Sequence, residues 1–393
     1  MKKTLTIIVT VILTFGILFS SAGASDTEQS PTLQPNLPAS NLEIQAKSAV
    51  LMEAKTGQIL FSKNEKSEAS PASVTKIMTL LLVAEALQNG LYKLTDEVSI
   101  SSYAASMGGS QVFLEEGERL TVEDLIKCTV IASANDAAVA LAELTAGSEA
   151  TFVASMNARA KELGLTNTNF ENTTGLDDTT TAHYSCAEDI AIMSRELIKH
   201  DIILKYSSLW QDSIRNGEFT LTNTNRLVRY YDGCNGLKTG STDKAGFCVS
   251  TTAKRGNLQL IAVVMGAESR DARNAAARAM LDWGFASFAL KEFPSEYLEN
   301  ISVIGGKINS TGVYSEGFSV LVEKAKLNKI EEKFFIPENI IAPLHKNSEI
   351  GQIHYYLDGA KIGECKITVY EEIESVGFFE LFIICLKNIF CGK

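Results

Sequence analysis

"PASVTKIMTLLLVAEAL", residues 71–87, places a serine three residues before a lysine where an apolar run begins. From Lys76 onward Ile77, Leu80, Leu81, Ala84 and Leu87 recur at helical spacing, and most residues between them are apolar too. The segment therefore predicts a core helix buried on nearly every face. Ser73 then has two readings. A hydroxyl in the first turn of a helix commonly satisfies free backbone N–H groups. Residues three apart also share a helix face, so the Lys76 amine can reach Ser73 Oγ. Burial of that lysine would lower its pKa towards a proton-accepting form, and the helix N-terminus favours charge developing on the serine oxygen. The stretch alone leaves both readings open.

The chain ends predict addresses rather than chemistry. Lys2 and Lys3, an apolar run from Leu5 to Phe19, and Ala22-Gly23-Ala24 form the pattern of a signal peptide over 1–24. An uncleaved anchor is the less supported alternative, because the small-residue cleavage pattern is present. The expected location is outside the cytoplasmic membrane, peripheral on its outer face. Removing residues 1–24 deletes two lysines and no acid, taking the net charge from −11 to −13. So acidic a product is a poor nucleic-acid binder. Seven cysteines stand singly at 128, 186, 234, 248, 365, 385 and 391, with no pair at zinc spacing, and the four histidines are scattered. We expect no metal, no cofactor and no Ser-His-Asp triad.

Residues 25–42 carry three prolines among small polar residues, as a spacer would. Over 43–290 the pattern runs from two strands around Lys55-Thr56-Gly57, through several helices, to strands between 244 and 266 and a last helix near 271–289. Strands at both ends with helices between predict an α/β (α+β) layered domain, one sheet assembled from the two termini and covered by helices. Residues 291–371 change to short β-rich segments and predict a small β-sandwich. In 372–393 Glu380, Lys387 and Asn388 fall within one narrow helical arc, while Phe378, Phe379, Phe382, Leu386, Ile389 and Phe390 cover the rest. No uninterrupted piece spans a bilayer, so this tail reads as an amphipathic helix lying on a membrane surface, with docking on the protein's own core as the alternative.

Three short patterns, each with decoys, decide the chemistry. S-x-x-K occurs at Ser73/Lys76 and Ser241/Lys244; S-x-N at Ser62/Asn64, Ser133/Asn135 and Ser155/Asn157; K-T-G at 55–57 and 238–240. Context selects one ordered set. Ser73/Lys76 opens a helix, Ser133-Ala134-Asn135 interrupts two apolar helical runs, and Lys238-Thr239-Gly240 leads into a strand. Gly233, Gly236 and Gly240 near that strand allow a ligand to lie close against it. The set, with "GGSQVFLEEGERLTVEDLIKCTVIASANDAA", "NTTGLDD" and "IAVVMGAES", resembles the low-molecular-mass penicillin-binding proteins, the serine D-alanyl-D-alanine carboxypeptidases.

That resemblance covers nearly the whole mature chain. It implies a penicillin-recognising serine-transferase fold, with an antiparallel sheet flanked by helices, and an acyl-enzyme mechanism inhibited by β-lactams. It implies Ser73 as nucleophile, Lys76 as its base and Ser133 as proton relay to the leaving D-alanine. Asn135 would orient the substrate backbone, which belongs to the stem peptides of peptidoglycan. Lys238 and Thr239 would draw in the terminal carboxylate beside Gly240, with Arg226 and Arg273 as helpers. The backbone N–H groups of Ser73 and Ser241 would form the oxyanion hole. A β-lactamase and a catalytically silent wall-binding module are the competing readings. Against the first stands the absence of an E-x-x-L-N segment, and against the second the intact serine, lysine and K-T-G set. Tyr184-Ser185-Cys186 departs from the family's Ser-Thr-Ala and touches no implied role.

Overall fold

The computed structural model describes residues 40–380, 382, 383 and 386. The expected signal peptide, most of the spacer and ten of the 22 residues of the expected tail lie outside them.

The first unit is built on five antiparallel strands: β1 (Ser48–Glu53), β2 (Ile59–Lys63), β3 (Cys234–Thr242), β4 (Gly246–Arg255) and β5 (Leu258–Ala267). Their order across the sheet is β2-β1-β5-β4-β3, so the N-terminal hairpin pairs with the last strand and β3 lies at an edge. Every residue of β1 is buried, as expected where both faces of a sheet are covered. Alternation divides the faces. Val50, Met52, Ile261, Val263 and Met265 point into the helical core on one side, and Ala49, Leu51, Leu260, Ala262 and Val264 into a second core on the other.

The helices are α1 (Lys76–Gln88), α2 (Val122–Lys127), α3 (Asn135–Ala146), α4 (Glu149–Glu162), α5 (Ala187–Leu197), α6 (Asp201–Ser207) and α7 (Arg270–Ser287). The second face is covered mainly by α7, through Ala276, Ala277, Met280, Leu281 and Phe285, with Leu227 and Tyr231 beside it. The first face receives α1, whose Ile77, Met78, Leu80, Leu81, Val83 and Ala84 are all buried. The expected interruption at Ser133-Ala134-Asn135 is present. Thr121 Oγ1 accepts from Asp124 N at the start of α2, and a single π-helical stretch, Cys128–Ala132, ends in Ser133 with a left-handed φ of 64°. The chain then re-enters a helix at Asn135.

β6 (Phe288–Phe293) continues straight out of α7, so the expected boundary at 290 falls inside a strand. It pairs with β9 (Phe318–Glu323). The remaining strands are β7 (Tyr297–Ile304), β8 (Ser310–Ser315), β10 (Ile330–Phe335), β11 (Asn339–Ile341), β12 (Glu349–Leu357) and β13 (Ala360–Val369). They form one six-stranded sheet in the order β10-β12-β13-β8-β7-β11. Between the two sheets Phe318 stacks on Tyr355 with ring centroids 4.4 Å apart, over a core of Val313, Ile353, Ile367 and Val369.

Candidate active site

Ser73 sits in a 3₁₀ turn, Ala72–Thr75, that leads directly into α1. Its hydroxyl caps neither helical segment, which removes the first of the two readings of this serine. The turn is entered through Ala72 in the left-handed region, φ 48°, a conformation that costs energy for a residue with a Cβ and lifts the next side chain out of the helix line. Gly175 holds this shape from outside. Its φ is 82°, and a Cβ there would stand 1.8 Å from Ala72 O, so only glycine lets the two backbones meet.

Lys76 is completely buried, and its Nζ lies 3.1 Å from Ser73 Oγ, 2.5 Å from Asn135 Oδ1 and 2.8 Å from Thr174 O. Burial holds its pKa well below the ordinary lysine value, Lys238 lowers it further, and the Asp136 carboxylate opposes both. A neutral amine has two hydrogens and one lone pair. The carbonyl oxygens of Asn135 and Thr174 take the two hydrogens, which leaves the lone pair facing the Ser73 hydroxyl.

The opposite wall repeats the pairing. Lys238 Nζ donates to Ser133 Oγ at 2.7 Å and to Thr239 O at 2.9 Å. Desolvation, with help from the Arg273 charge, brings its pKa down to about 7. Ser133 reaches it because the left-handed residue ending the π-turn directs its side chain out of the α2–α3 run. Lys238, Thr239 and Gly240 lie inside β3 rather than before it, since the strand begins at Cys234. The close approach expected of Gly240 is real. A Cβ there would stand 2.8 Å from Ser73 N, so the edge strand passes directly against the backbone of the serine turn.

These residues border one cleft of 610 Å³, lined by Ser73, Ser133, Thr239, Gly240 and Ser241 on the side of the paired lysines. Arg226 and Arg273 line it as expected, the first exposed and the second buried. The three selected S-x-x-K, S-x-N and K-T-G candidates are thus brought together; of the residues in the other copies only Ser241 lines the cleft, as the neighbour of Gly240. Asn157, for example, holds Phe170 by bonding both its N–H and its carbonyl oxygen.

Several residues of the site were not foreseen. Asp136, fully buried, accepts from Val112 N, Leu114 N and Ala137 N and so fastens the 108–114 loop beside Asn135, whose own Nδ2 donates to Gly108 O. Asp177 accepts from Ser70 Oγ and Thr242 Oγ1, tying the approach to Ser73 to the end of β3. His183 Nδ1 accepts from Glu171 N, so Nε2 carries the proton and donates to Thr75 Oγ1 at 2.8 Å. Burial lowers the pKa of this histidine to about 4 and keeps it neutral. An acid next to Asn135 was the one available sequence signal; the rest follow from contacts between distant segments. The altered Tyr184-Ser185-Cys186 proves structural: Cys186 Sγ accepts from Asp189 N as the cap of α5.

Residues 34–269 match the family described as D-alanyl-D-alanine carboxypeptidase, peptidase S11, and 294–375 match the penicillin-binding protein 5 C-terminal domain. The chain belongs to the peptidase S11 family of D-alanyl-D-alanine carboxypeptidases. It is 43% identical to the D-alanyl-D-alanine carboxypeptidase DacF of Bacillus subtilis over 349 residues, covering 86% of this chain and 88% of that one. It is 32% identical to DacA of Escherichia coli, covering 95% and 93%. Penicillin-binding protein 5 of Haemophilus influenzae superposes with a TM-score of 0.75 at 31% identity, over 86% of this chain and all of that structure. Penicillin-binding protein D2 of Listeria monocytogenes, solved with ampicillin and again with cefotaxime, superposes at 0.58 and 30% identity, over 63% of this chain and all of that structure. The likeness to penicillin-binding protein 5 includes the C-terminal β domain, whereas the D2 structure is matched in full by 63% of this chain.

Proposed function

We propose that this carboxypeptidase removes the terminal D-alanine of peptidoglycan stem peptides through an ester on Ser73. The observation that carries the reading is the buried, neutral-leaning Lys76 amine 3.1 Å from Ser73 Oγ, its other hydrogen-bonding positions already occupied. Lys76 takes the hydroxyl proton as Ser73 Oγ attacks the carbonyl of the D-Ala–D-Ala bond. The backbone N–H groups of Ser73 and Ser241 stabilise the developing oxyanion, where losing one donor typically costs about 3 kcal/mol. Ser133, hydrogen-bonded to Lys238, passes a proton to the departing amine. Asn135 holds the stem backbone, and Lys238, Thr239, Arg226 and Arg273 attract its carboxylate. Water then cleaves the ester and regenerates the serine.

A β-lactam enters the same path and stays, because its leaving group remains tethered and obstructs the water. The residues lining the cleft include no carboxylate that could activate water for rapid release, which favours a persistent adduct over β-lactamase turnover. The chain works outside the cytoplasmic membrane, exported by residues 1–24 and held at the outer membrane face by the amphipathic tail. The test is intact mass with and without penicillin, alongside D-alanine release from a D-Ala–D-Ala peptide. The parent gains one stable adduct and releases D-alanine, and Ser73→Ala does neither. A Ser73→Ala protein releasing D-alanine at the parental rate removes the nucleophile from the account.

A further inference from the structure

The outward face of the six-stranded sheet carries side chains that the fold does not use. On β8 and β13 Val313, Ile367 and Val369 point into the core, so alternation turns Gly312, Tyr314, Thr368 and Tyr370 towards solvent. β7 adds Tyr297 to the same face. Leu298 bulges there and packs against the core, so that Tyr297 stands directly opposite Tyr314. Bulges commonly serve to re-aim one side chain.

Three tyrosines thereby stand in a row. Ring centroids lie 5.4 Å apart between Tyr297 and Tyr314 and 5.2 Å apart between Tyr314 and Tyr370. Tyr297 is 50% exposed and Tyr370 61%. Gly312 keeps the middle of the row low: a Cβ there would stand 3.2 Å from the Tyr297 ring, 3.5 Å from the Tyr314 ring and 3.7 Å from Asn300 Oδ1. Its bare backbone is the floor of a shallow recess walled by two rings and an amide. Neither the three phenol hydroxyls nor the Asn300 amide has a hydrogen-bond partner among the described residues.

The chemistry of this face selects its ligand. Its charges are mixed: Lys346 Nζ lies over the Tyr370 ring, 5.4 Å from its centroid, Glu371 follows that residue, and Lys366 is paired with Glu349. No run of one sign is present to hold a polyanion. The exposed isoleucines of this unit, Ile304, Ile308 and Ile341, gather at the far end of β7, so the rings are not part of a continuous apolar patch of the kind another protein covers. Exposed rings edged by hydroxyls and an amide fit a sugar. The C–H groups of a pyranose lie against the negative face of an aromatic ring, while its hydroxyl and acetamido groups bond at the rim.

We propose that the Tyr297, Tyr314 and Tyr370 face of the C-terminal β domain binds the glycan backbone of the wall, a neutral chain of β-1,4-linked N-acetylhexosamines. Sugar units stack on Tyr297 and Tyr370, and Asn300 takes an acetamido group above Gly312. Holding the strand raises the local concentration of the stem peptides attached to it and adds nothing to the chemistry at Ser73.

The probe is a hexamer of β-1,4-linked N-acetylglucosamine, which offers the cleft no D-Ala–D-Ala bond, so the test does not depend on the carboxypeptidase reading. Calorimetric titration of the full chain with this hexamer gives saturable binding. Tyr297→Ala and Tyr370→Ala each lower the affinity about tenfold, whereas Tyr370→Phe, which keeps the ring, stays within about threefold of the parent. The thermal transition of each variant stays within about 3 °C of the parent, which separates lost binding from a lost fold. Should an alanine variant melt earlier, Asn300→Ala, which removes no packed ring, carries the test with a loss of about fivefold. A parent that does not bind the hexamer overturns the inference. So does binding that all of these substitutions leave unchanged, since the sugar then sits elsewhere.

Discussion

Replacing Lys238 by methionine should make the protein more stable at pH 6 and less stable at pH 10. The folded-state pKa of Lys238 is about 7 against 10.5 when solvated. Charging it in place therefore costs about 5 kcal/mol, at about 1.4 kcal/mol per unit. The sign follows from proton binding. Between pH 7 and 10.5 the unfolded chain holds a proton that the folded chain lacks, so stability rises with pH across that window, and the full cost is present below it. Methionine removes this cost but strands Ser133 Oγ and Thr239 O, which Lys238 now satisfies, at about 1–2 kcal/mol each. The balance is a gain of about 2 kcal/mol at pH 6 that turns into a loss of similar size by pH 10. Urea unfolding at the two pH values measures it. Trp210 and Trp283, the only tryptophans, both lie before residue 288 and so report on the first unit. A stability difference between parent and variant that stays constant within about 1 kcal/mol from pH 6 to 10 would refute the reasoning, since Lys238 would then be fully charged in the fold.

Gly240→Ala should leave the sheet intact yet lower kcat at least a hundredfold, because the added methyl meets Ser73 N at 2.8 Å and displaces an oxyanion donor; unfolding curves and steady-state rates separate the two effects. Asp136→Asn removes the charge that raises the Lys76 pKa, so the acid limb of the kcat/KM profile should move to lower pH. The same change weakens the hold on Val112 and Leu114, costing about 1–3 kcal/mol in a denaturation experiment. Cys186→Ser exchanges a weak sulfur cap for a strong oxygen one and should stabilise the protein by about 0.5–1 kcal/mol, read as a raised Tm, with activity unchanged. Lowering the pH from 6.5 towards 4 should progressively destabilise the protein through His183, since the folded state resists the proton that the unfolded state accepts; His183→Gln should flatten that part of the pH profile.

The sheet and the helical layers could be read from local pattern because each rests on periodicity. β4 and β5 appear as two apolar runs around Arg255-Gly256-Asn257, and α1 as a run too apolar for any exposed face. The pairing of Ser73 with Lys76 is equally local, three residues within one turn. Lys238 was legible only as part of a short motif, because its partnership with Ser133 joins residues 105 apart in the chain. Gly175 and Asp177 stand in the quoted NTTGLDD stretch but nothing there assigned them a role, and His183 left no trace at all. Their roles consist of a few contacts, to Ser70 and Thr242, to Thr75 and to Ala72, made by a loop with no repeating pattern to announce where it will fold. The left-handed Ala72 was equally hidden, since alanine is an ordinary helix residue until Gly175 presses on it.

Closing the sheet through its first strand carries a timing consequence. Val50 must find Val263, and Leu51 must find Ala262, before the centre of the sheet exists. No ribosome-bound fragment that stops short of β5 can complete it, and pairing across so long an intervening chain is slow. Until β5 is in place, Ser73 also lacks its setting, since the turn that carries it packs against β3 of the same sheet.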